Sequence, residues 1–206
     1  MTTENFQLLI ATKNAGKIRE LKELMADLPF RMRSLSDFAD VSEPEETGAT
    51  FAENAVLKAR SYALQTGLWT LADDSGLEVE ALHGAPGVFS ARYAGKDAAD
   101  ADRIEKLLKE MNETRDENRR ARFVCAAAIA DAARDIQFIA EGVCDGRIAL
   151  TARGAGGFGY DPVFIPDGFS KTFGELTCDV KQQISHRARA TFKIIQYLRR
   201  FCADLS

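Results

Sequence analysis

The stretch richest in chemistry is Leu71-Ala72-Asp73-Asp74-Ser75-Gly76, where an apolar run suited to a buried strand ends in two adjacent carboxylates. Consecutive strand side chains point to opposite faces, so sharing one environment requires the strand to have broken into a loop, which Gly76 permits. Bare carboxylates are costly to bury and like charges repel, so a divalent cation, a lysine or solvent must lie within reach. Carboxyl ends of strands are also where α/β proteins bind ligands. A second set is Thr12-Lys13-Asn14-Ala15-Gly16-Lys17, a polar, glycine-containing link between an apolar run and a helical pattern. The first N–H groups of a helix lack internal partners and carry the positive dipole end, so this link suits an anion, and Lys13 and Lys17 add charge. It is not a Walker loop, because Lys17 is followed by Ile18 and the glycine spacing is absent.

Two further stretches have the chemistry to read a ring. Gly154-Ala155-Gly156-Gly157-Phe158-Gly159-Tyr160-Asp161-Pro162 is the most glycine-dense part of the chain. Glycines allow close backbone approach, Phe158 or Tyr160 can stack on a base, and Asp161 can accept a hydrogen bond from a ring N–H. In Lys181-Gln182-Gln183-Ile184-Ser185-His186-Arg187, Ser185 is placed to cap a helix whose apolar stripe is Ala188, Phe192, Ile195 and Leu198. His186 and Arg187 then stand in its first turn, where cations oppose the helix dipole, a penalty that points to a ligand.

The elements that must position these residues follow from periodicity. Gln7 to Ala11 reads as a central strand, and Ile18, Leu21, Leu24, Met25 and Leu28 mark the helix after the first lysine loop. Phe30 to Leu35 alternates as a half-exposed strand. After the acidic loop Ser42-Glu43-Pro44-Glu45-Glu46-Thr47-Gly48, Thr50 and Glu53 have capping-box spacing, and the helix they open runs to Gly67. Its apolar stripe is Phe51, Ala55, Ala59, Tyr62 and Ala63, with Asn54, Lys58 and Ser61 aligned on another face. That topology could bring Glu46, Lys58 and the paired aspartates to one end of the sheet. Leu77 to Leu82 alternates, Gly84 to Tyr93 reads as an ordered loop, and Ile104, Leu107, Leu108 and Met111 mark an amphipathic helix. A charged connection, Thr114 to Arg120, leads to three expected strands: Ala121 to Asp131, Ile136 to Gly142 and Arg147 to Ala152.

Composition sets the bounds. With 206 residues, 46% hydrophobic and 28% charged, the chain suits one domain, or one domain with lobes. A net charge of −4 gives no footprint for nucleic acid. No apolar run approaches the length of a membrane span, and Met1-Thr2-Thr3-Glu4-Asn5 lacks the features of a signal peptide, so a cytoplasmic protein is expected. Cys125, Cys144, Cys178 and Cys202 are far apart and only His83 and His186 accompany them, which disfavours zinc and a disulfide framework.

Together the motifs carry a resemblance. Thr12-x-Asn14-x-x-Lys17, Glu46-Thr47-Gly48, Phe51-x-Glu53-Asn54-Ala55-x-x-Lys58-Ala59, Ala72-Asp73-Asp74-Ser75-Gly76-Leu77, Gly84-Ala85-Pro86-Gly87-Val88-x-Ser90-Ala91-Arg92, Gly157-Phe158-Gly159-Tyr160-Asp161 and Ile184-Ser185-His186-Arg187 succeed one another across nearly the whole chain. In this order they resemble the inosine-triphosphate pyrophosphatase family, also called XTP/dITP diphosphatases. The one departure noted is Lys13, where relatives often carry asparagine or glycine.

The resemblance implies an α/β fold with a long mixed central sheet flanked by helices, and two lobes with the active site in the cleft between them. It implies a single catalytic domain spanning residues 1–206, a Mg²⁺-dependent homodimer, and cleavage of ITP, dITP and XTP to monophosphate and pyrophosphate. By the same resemblance Thr12, Lys13, Asn14, Ala15, Gly16 and Lys17 hold the triphosphate, and Ser75 touches substrate. Glu46 and Asp74, with Asp73 as a third candidate, hold Mg²⁺. Asp74 is the implied proton acceptor, while Lys17 and Lys58 neutralise the pyrophosphate leaving group. Base selection falls to Phe158, Gly159, Tyr160, Asp161, Lys181, His186 and Arg187. Receiver modules and phosphoribosyltransferases also place acids at strand ends, but neither accounts for the glycine-rich loop together with Ser-His-Arg. The related septum-inhibitor-like pyrophosphatases, acting on modified pyrimidine triphosphates, are the nearest enzymatic alternative.

Overall fold

The computed structural model describes residues 6–114 and 116–204; the opening Met1-Thr2-Thr3-Glu4-Asn5, and Arg115 of the charged connection, lie outside them. Six strands form one mixed sheet: β1 (Gln7–Ile10), β2 (Arg31–Ser34), β3 (Trp69–Val79), β4 (Arg120–Ala130), β5 (Ile136–Ile148) and β6 (Phe164–Pro166). Their order is β2-β1-β3-β4-β5-β6. β1 runs parallel to both β2 and β3, with Ile10 opposite Ser34 on one side and Leu71 on the other, whereas β5 and β6 are antiparallel. Among the described residues, five α-helices accompany the strands: α1 (Ala15–Leu24), α2 (Phe51–Thr66), α3 (Asp100–Glu113), α4 (Cys178–Ile184) and α5 (His186–Asp204). Among the described residues, no helix is long and apolar enough to cross a membrane.

The chain divides into two compact units, one of Met1–Asp74, Cys125–Gly142 and Arg187–Ser206, the other of Ser75–Val124 and Val143–His186. In the first, Leu8 and Ile10 of β1, Leu21 of α1, Leu71 of β3, Ala127 and Ile129 of β4, and Ala190, Ile194 and Leu198 of α5 share a core. In the second, Leu77, Leu107 of α3, Phe123, Ile148, Tyr160, Phe164 and Phe173 do the same.

Helix α2 follows its pattern closely. Thr50 accepts from the Glu53 amide, the Glu53 carboxylate accepts from the Thr50 amide, and Gly67 ends the helix in the left-handed region at φ 67°. Phe51, Ala55, Ala59, Tyr62 and Ala63 are all buried. Elsewhere the expected boundaries need correction. The strand that carries Asp73 and Asp74 does not break after Ala72; it continues to Val79. The break is unnecessary because alternation gives each carboxylate its own cations on its own face. The two strands expected at 136–142 and 147–152 are instead β5, which ends at Ile148. Gly146 is no turn: it lies in register with Pro166, where any Cβ would run into the Ile165 carbonyl. Within the Gly84 to Tyr93 loop, Gly87–Arg92 forms a 3₁₀ turn. On α5, Ala188 and Leu198 of the expected stripe are buried and Ile195 packs on the core, but Phe192 is 60% exposed, and Arg187, Ala190 and Ile194 complete the buried side.

Candidate active site

In the first unit, the connection from β1 to α1 is shaped by Asn14. Its amide donates to Thr12 Oγ1 at 3.2 Å, and its side-chain oxygen caps the helix by accepting from the Lys17 amide at 3.0 Å. The cap sets the start of α1, so Ala15 and Gly16 form its first turn and Lys17 reaches toward β3. Lys17 Nζ lies 2.9 Å from Asp73 Oδ2. Lys13 points elsewhere, to Glu43 at 3.4 Å between well-exposed side chains, a pair of little energetic weight.

Asp73 and Asp74 are both buried but belong to different networks. On one face, Asp73 Oδ2 takes Lys17, Nε and Nη2 of Arg187 at 3.4 Å each, and the Cys125 thiol at 3.9 Å. Arg187 in turn gives Nη1 to Glu20 at 2.5 Å. Burial opposes charge at Asp73, but Lys17, Arg187 and Lys58 outweigh it and hold its pKa far below the ordinary carboxylate range. Burial likewise opposes charge on Arg187, and Asp73 and Glu20 overcome it. Burial, reinforced by Asp73, pushes the Cys125 thiol up to about 12.

On the other face, Asp74 Oδ1 accepts from Lys58 Nζ at 2.8 Å and Oδ2 from Asn54 Nδ2 at 3.2 Å. The same ammonium reaches Glu46 Oε1 at 2.9 Å. Asn54 is fixed by its other end, because its Oδ1 accepts from the Gly48 amide at 2.8 Å. A Cβ at Gly48 would meet Asn54 Oδ1 and Glu53 Cβ at 2.7 Å, so a glycine is required for this approach. The capped start of α2, the Glu46–Gly48 segment and β3 thus hold Glu46, Lys58 and Asp74 as one set. Burial works against charge on Lys58, yet Asp74, Asp73 and Glu46 raise its pKa above the ordinary lysine value, so it is a fixed cation at neutral pH.

Two carboxylates converging on one ammonium form a small donor set of hard oxygens. It fits Mg²⁺, which binds through one or two carboxylates plus waters and phosphate rather than in an all-protein cage. Glu46 and Asp74 are the residues in that position. Asp73 is on the opposite face, committed to Lys17 and Arg187.

In the second unit, Asp161 organises the glycine-rich loop. Its Oδ2 accepts from the Phe158 amide at 2.8 Å and from Lys181 Nζ at 2.5 Å, and Lys181 Nζ stands 4.7 Å from the centroid of the Phe158 ring. Gly157 has φ 72°, and any Cβ there would clash with the Asp161 carboxylate. Tyr160 is buried, with its hydroxyl donating to the Ser90 carbonyl at 3.0 Å, so Phe158 is the part-exposed ring of the pair. His186 is buried and stacks on Phe123, with centroids 4.6 Å apart and planes at 11°. Ser75, the residue after Asp74, is part-exposed and opens the second unit.

A sequence model of the Ham1 family matches residues 8–197. The chain belongs to the Ham1 family. Relatives in this family include a dITP/XTP pyrophosphatase of Bacillus anthracis, 48% identical over 91% of this chain and 94% of that protein. Another, of Geobacillus kaustophilus, is 52% identical over 91% of this chain and 92% of that one. A Ham1 protein from Coxiella burnetii has the same fold, with a TM-score of 0.88 and 43% identity over 95% of this chain and 99% of that chain. The Ham1 protein of Staphylococcus aureus superposes with a TM-score of 0.84 at 38% identity over the same shares.

Within this Ham1 fold, Lys17 and Asp73 form one set, and Glu46, Lys58 and Asp74 another. Phe158, Asp161 and Lys181 form a third. Arg187 is held by Asp73 and Glu20 in the first unit. Lys13 stands apart. Sequence reasoning missed Glu20 as a site residue, although it lies three positions after Lys17 on α1 and so shares its face. It placed Asn54 on the face of Lys58 without seeing that Asn54 locks Asp74 to the Gly48 amide.

Proposed function

We propose that this protein hydrolyses deaminated purine nucleoside triphosphates, dITP, ITP and XTP, to the monophosphate and pyrophosphate. The observation that carries the reading is the pair of carboxylates, Glu46 and Asp74, gripping a buried lysine that stays charged, one residue along the strand from Asp73 and its Lys17. Such an array suits a polyanion whose charge grows on the leaving group. The curated relatives carry the matching name.

In this reading Thr12 to Lys17 engage the triphosphate through the first turn of α1 and the Lys17 ammonium. Glu46 and Asp74 would hold Mg²⁺, which when bound neutralises phosphate charge and lowers the pKa of a coordinated water. Water attacks the α-phosphorus in line. Asp74 accepts the proton from that water, and Lys58 and Lys17 offset the charge on departing pyrophosphate. Lys58 is no general base, since its neighbours keep it protonated. Asn54 holds Asp74 still.

For the base, Phe158 supplies a stacking face and Lys181 a donor near it. Donors facing a 6-oxo group accept hypoxanthine and xanthine, whereas the 6-amino group of adenine would leave donors facing donors, at about 1–3 kcal/mol per buried group. The homodimer and the cytoplasmic setting are part of the same reading, and sedimentation of the purified protein checks the first. Hydrolysis of ITP in oxygen-18-labelled water tests the chemistry. Attack at the α-phosphorus puts the label in the monophosphate; label in pyrophosphate or free phosphate would overturn it.

A further inference from the structure

Two carboxylates hold backbone amides of the glycine-rich loop, Asp161 from within it and Asp100 from outside, and Asp100 has no role in the reading above. Asp100, the first residue of α3, accepts from the Gly159 amide at 2.6 Å through Oδ2. Its other oxygen pairs with Arg103 one turn along, and Arg103 Nη1 donates to the Ala91 carbonyl at 2.6 Å. The neighbouring Ser90 carbonyl takes the Tyr160 hydroxyl at 3.0 Å. Ser90 itself is fixed on both sides, its hydroxyl accepting from the Leu77 amide at 2.9 Å and donating to the Gly87 carbonyl at 2.6 Å.

The consequence is local and directional. Gly157 and Gly159 both have left-handed φ, at 72° and 61°, so the backbone around Phe158 has the freedom of two glycines. Asp161 fixes the Phe158 amide from the C-terminal side, and Asp100 fixes the next amide, Gly159, from α3. Phe158 therefore lies between a clamp on its own amide and a clamp on the next one. A carboxylate at the first position of a helix also meets the positive end of the dipole.

We propose that Asp100 is a positioning residue for substrate selection: its carboxylate holds the Gly159 amide and so sets where the Phe158 ring stands for the purine. The proposal rests on the assignment of Phe158 as the base-stacking residue. It predicts that losing the clamp loosens the grip on the base while leaving phosphate handling unchanged, because Lys17, Lys58 and Asp74 belong to the other compact unit.

The test compares wild type, Asp100→Ala and Asp100→Asn. Losing one charge-assisted hydrogen bond at a side chain that is 43% exposed corresponds to about five-fold in affinity. Asp100→Ala should raise KM for ITP and weaken inosine monophosphate binding about five-fold, with kcat within two-fold. Binding of inorganic tripolyphosphate, which has no base, should stay as in wild type. Asp100→Asn, whose amide oxygen can still accept from Gly159, should recover most of the loss. Equal weakening toward tripolyphosphate, or a fall in kcat with KM unchanged, would overturn the proposal. So would an Asp100→Ala enzyme that binds inosine monophosphate as wild type does. Wild type failing to hydrolyse ITP at all would overturn the functional reading itself, an outcome distinct from these.

Discussion

Replacing Asp74 with asparagine preserves shape and removes charge, and the surrounding hydrogen bonds set the cost. Asp74 Oδ1 receives Lys58 and Oδ2 receives Asn54 Nδ2. An asparagine has one oxygen. If it faces Lys58, its NH₂ group is set against the NH₂ of Asn54, and Asn54 cannot turn over without losing the Gly48 amide from its Oδ1. One buried donor is then left unmet, at about 1–3 kcal/mol. Breaking a buried ion pair outright costs about 3–5 kcal/mol, but Lys58 retains Glu46, whose side chain is 25% exposed, so the lower part of that range is the upper bound. The expected net loss is about 2 kcal/mol, measurable by urea unfolding with the slope unchanged. Activity should fall much further. Loss of the proton acceptor is worth about 10²–10⁴ in rate, or roughly 3–5 kcal/mol of barrier, and should appear in kcat rather than KM. Asp74→Asn turning over ITP within ten-fold of wild type, with its fold intact, would refute the assignment of Asp74 to the chemistry.

The same geometry carries other outcomes. Asn54→Ala should lower kcat about ten-fold while ITP still binds, since Asp74 loses the hydrogen bond that orients it but keeps Lys58; unchanged kcat would contradict that role. Asp73, whose pKa is lowered in the fold, contributes stability present above the unfolded carboxylate value of about 4 and lost as pH falls through the folded one. In metal-free buffer, wild type should therefore lose stability below about pH 4 more steeply than Asp73→Asn, which should already be weaker at pH 7; parallel curves would count against it. Alkylation of the native protein should modify Cys178 first, because it is the exposed thiol, while Cys125, Cys144 and Cys202 are buried and burial holds the Cys125 thiol protonated near neutral pH. Rapid labelling of Cys125, read by peptide mass, would show that the Asp73 network opens readily.

The legibility of this chain in its sequence tracked the range of the forces involved. Helix α2 could be read from residues four apart, since the Thr50–Glu53 box, the apolar stripe and Gly67 are all local signals. The family motifs carried the fold beyond that. What failed was boundary reading where tertiary contacts override local cues. Asp73 and Asp74 look like a strand terminus only while their partners are unknown; Lys17 and Arg187 on one side, and Lys58 and Asn54 on the other, let β3 run through. Gly146 looks like a turn until Pro166 is laid against it. On α5, Arg187 is buried beside Ala190 and Ile194 because Asp73 and Glu20 supply partners that an apolar stripe does not reveal. Asp100 gave no signal, since a helix-start aspartate is ordinarily explained by the dipole alone.

The most direct test of the account is pyrophosphate release measured in parallel from ITP, XTP, ATP, GTP and dUTP with Mg²⁺, identifying the nucleoside monophosphate as co-product. The account predicts strong preference for ITP and XTP, with one pyrophosphate per monophosphate. Comparable release from ATP, or preference for dUTP, would contradict it.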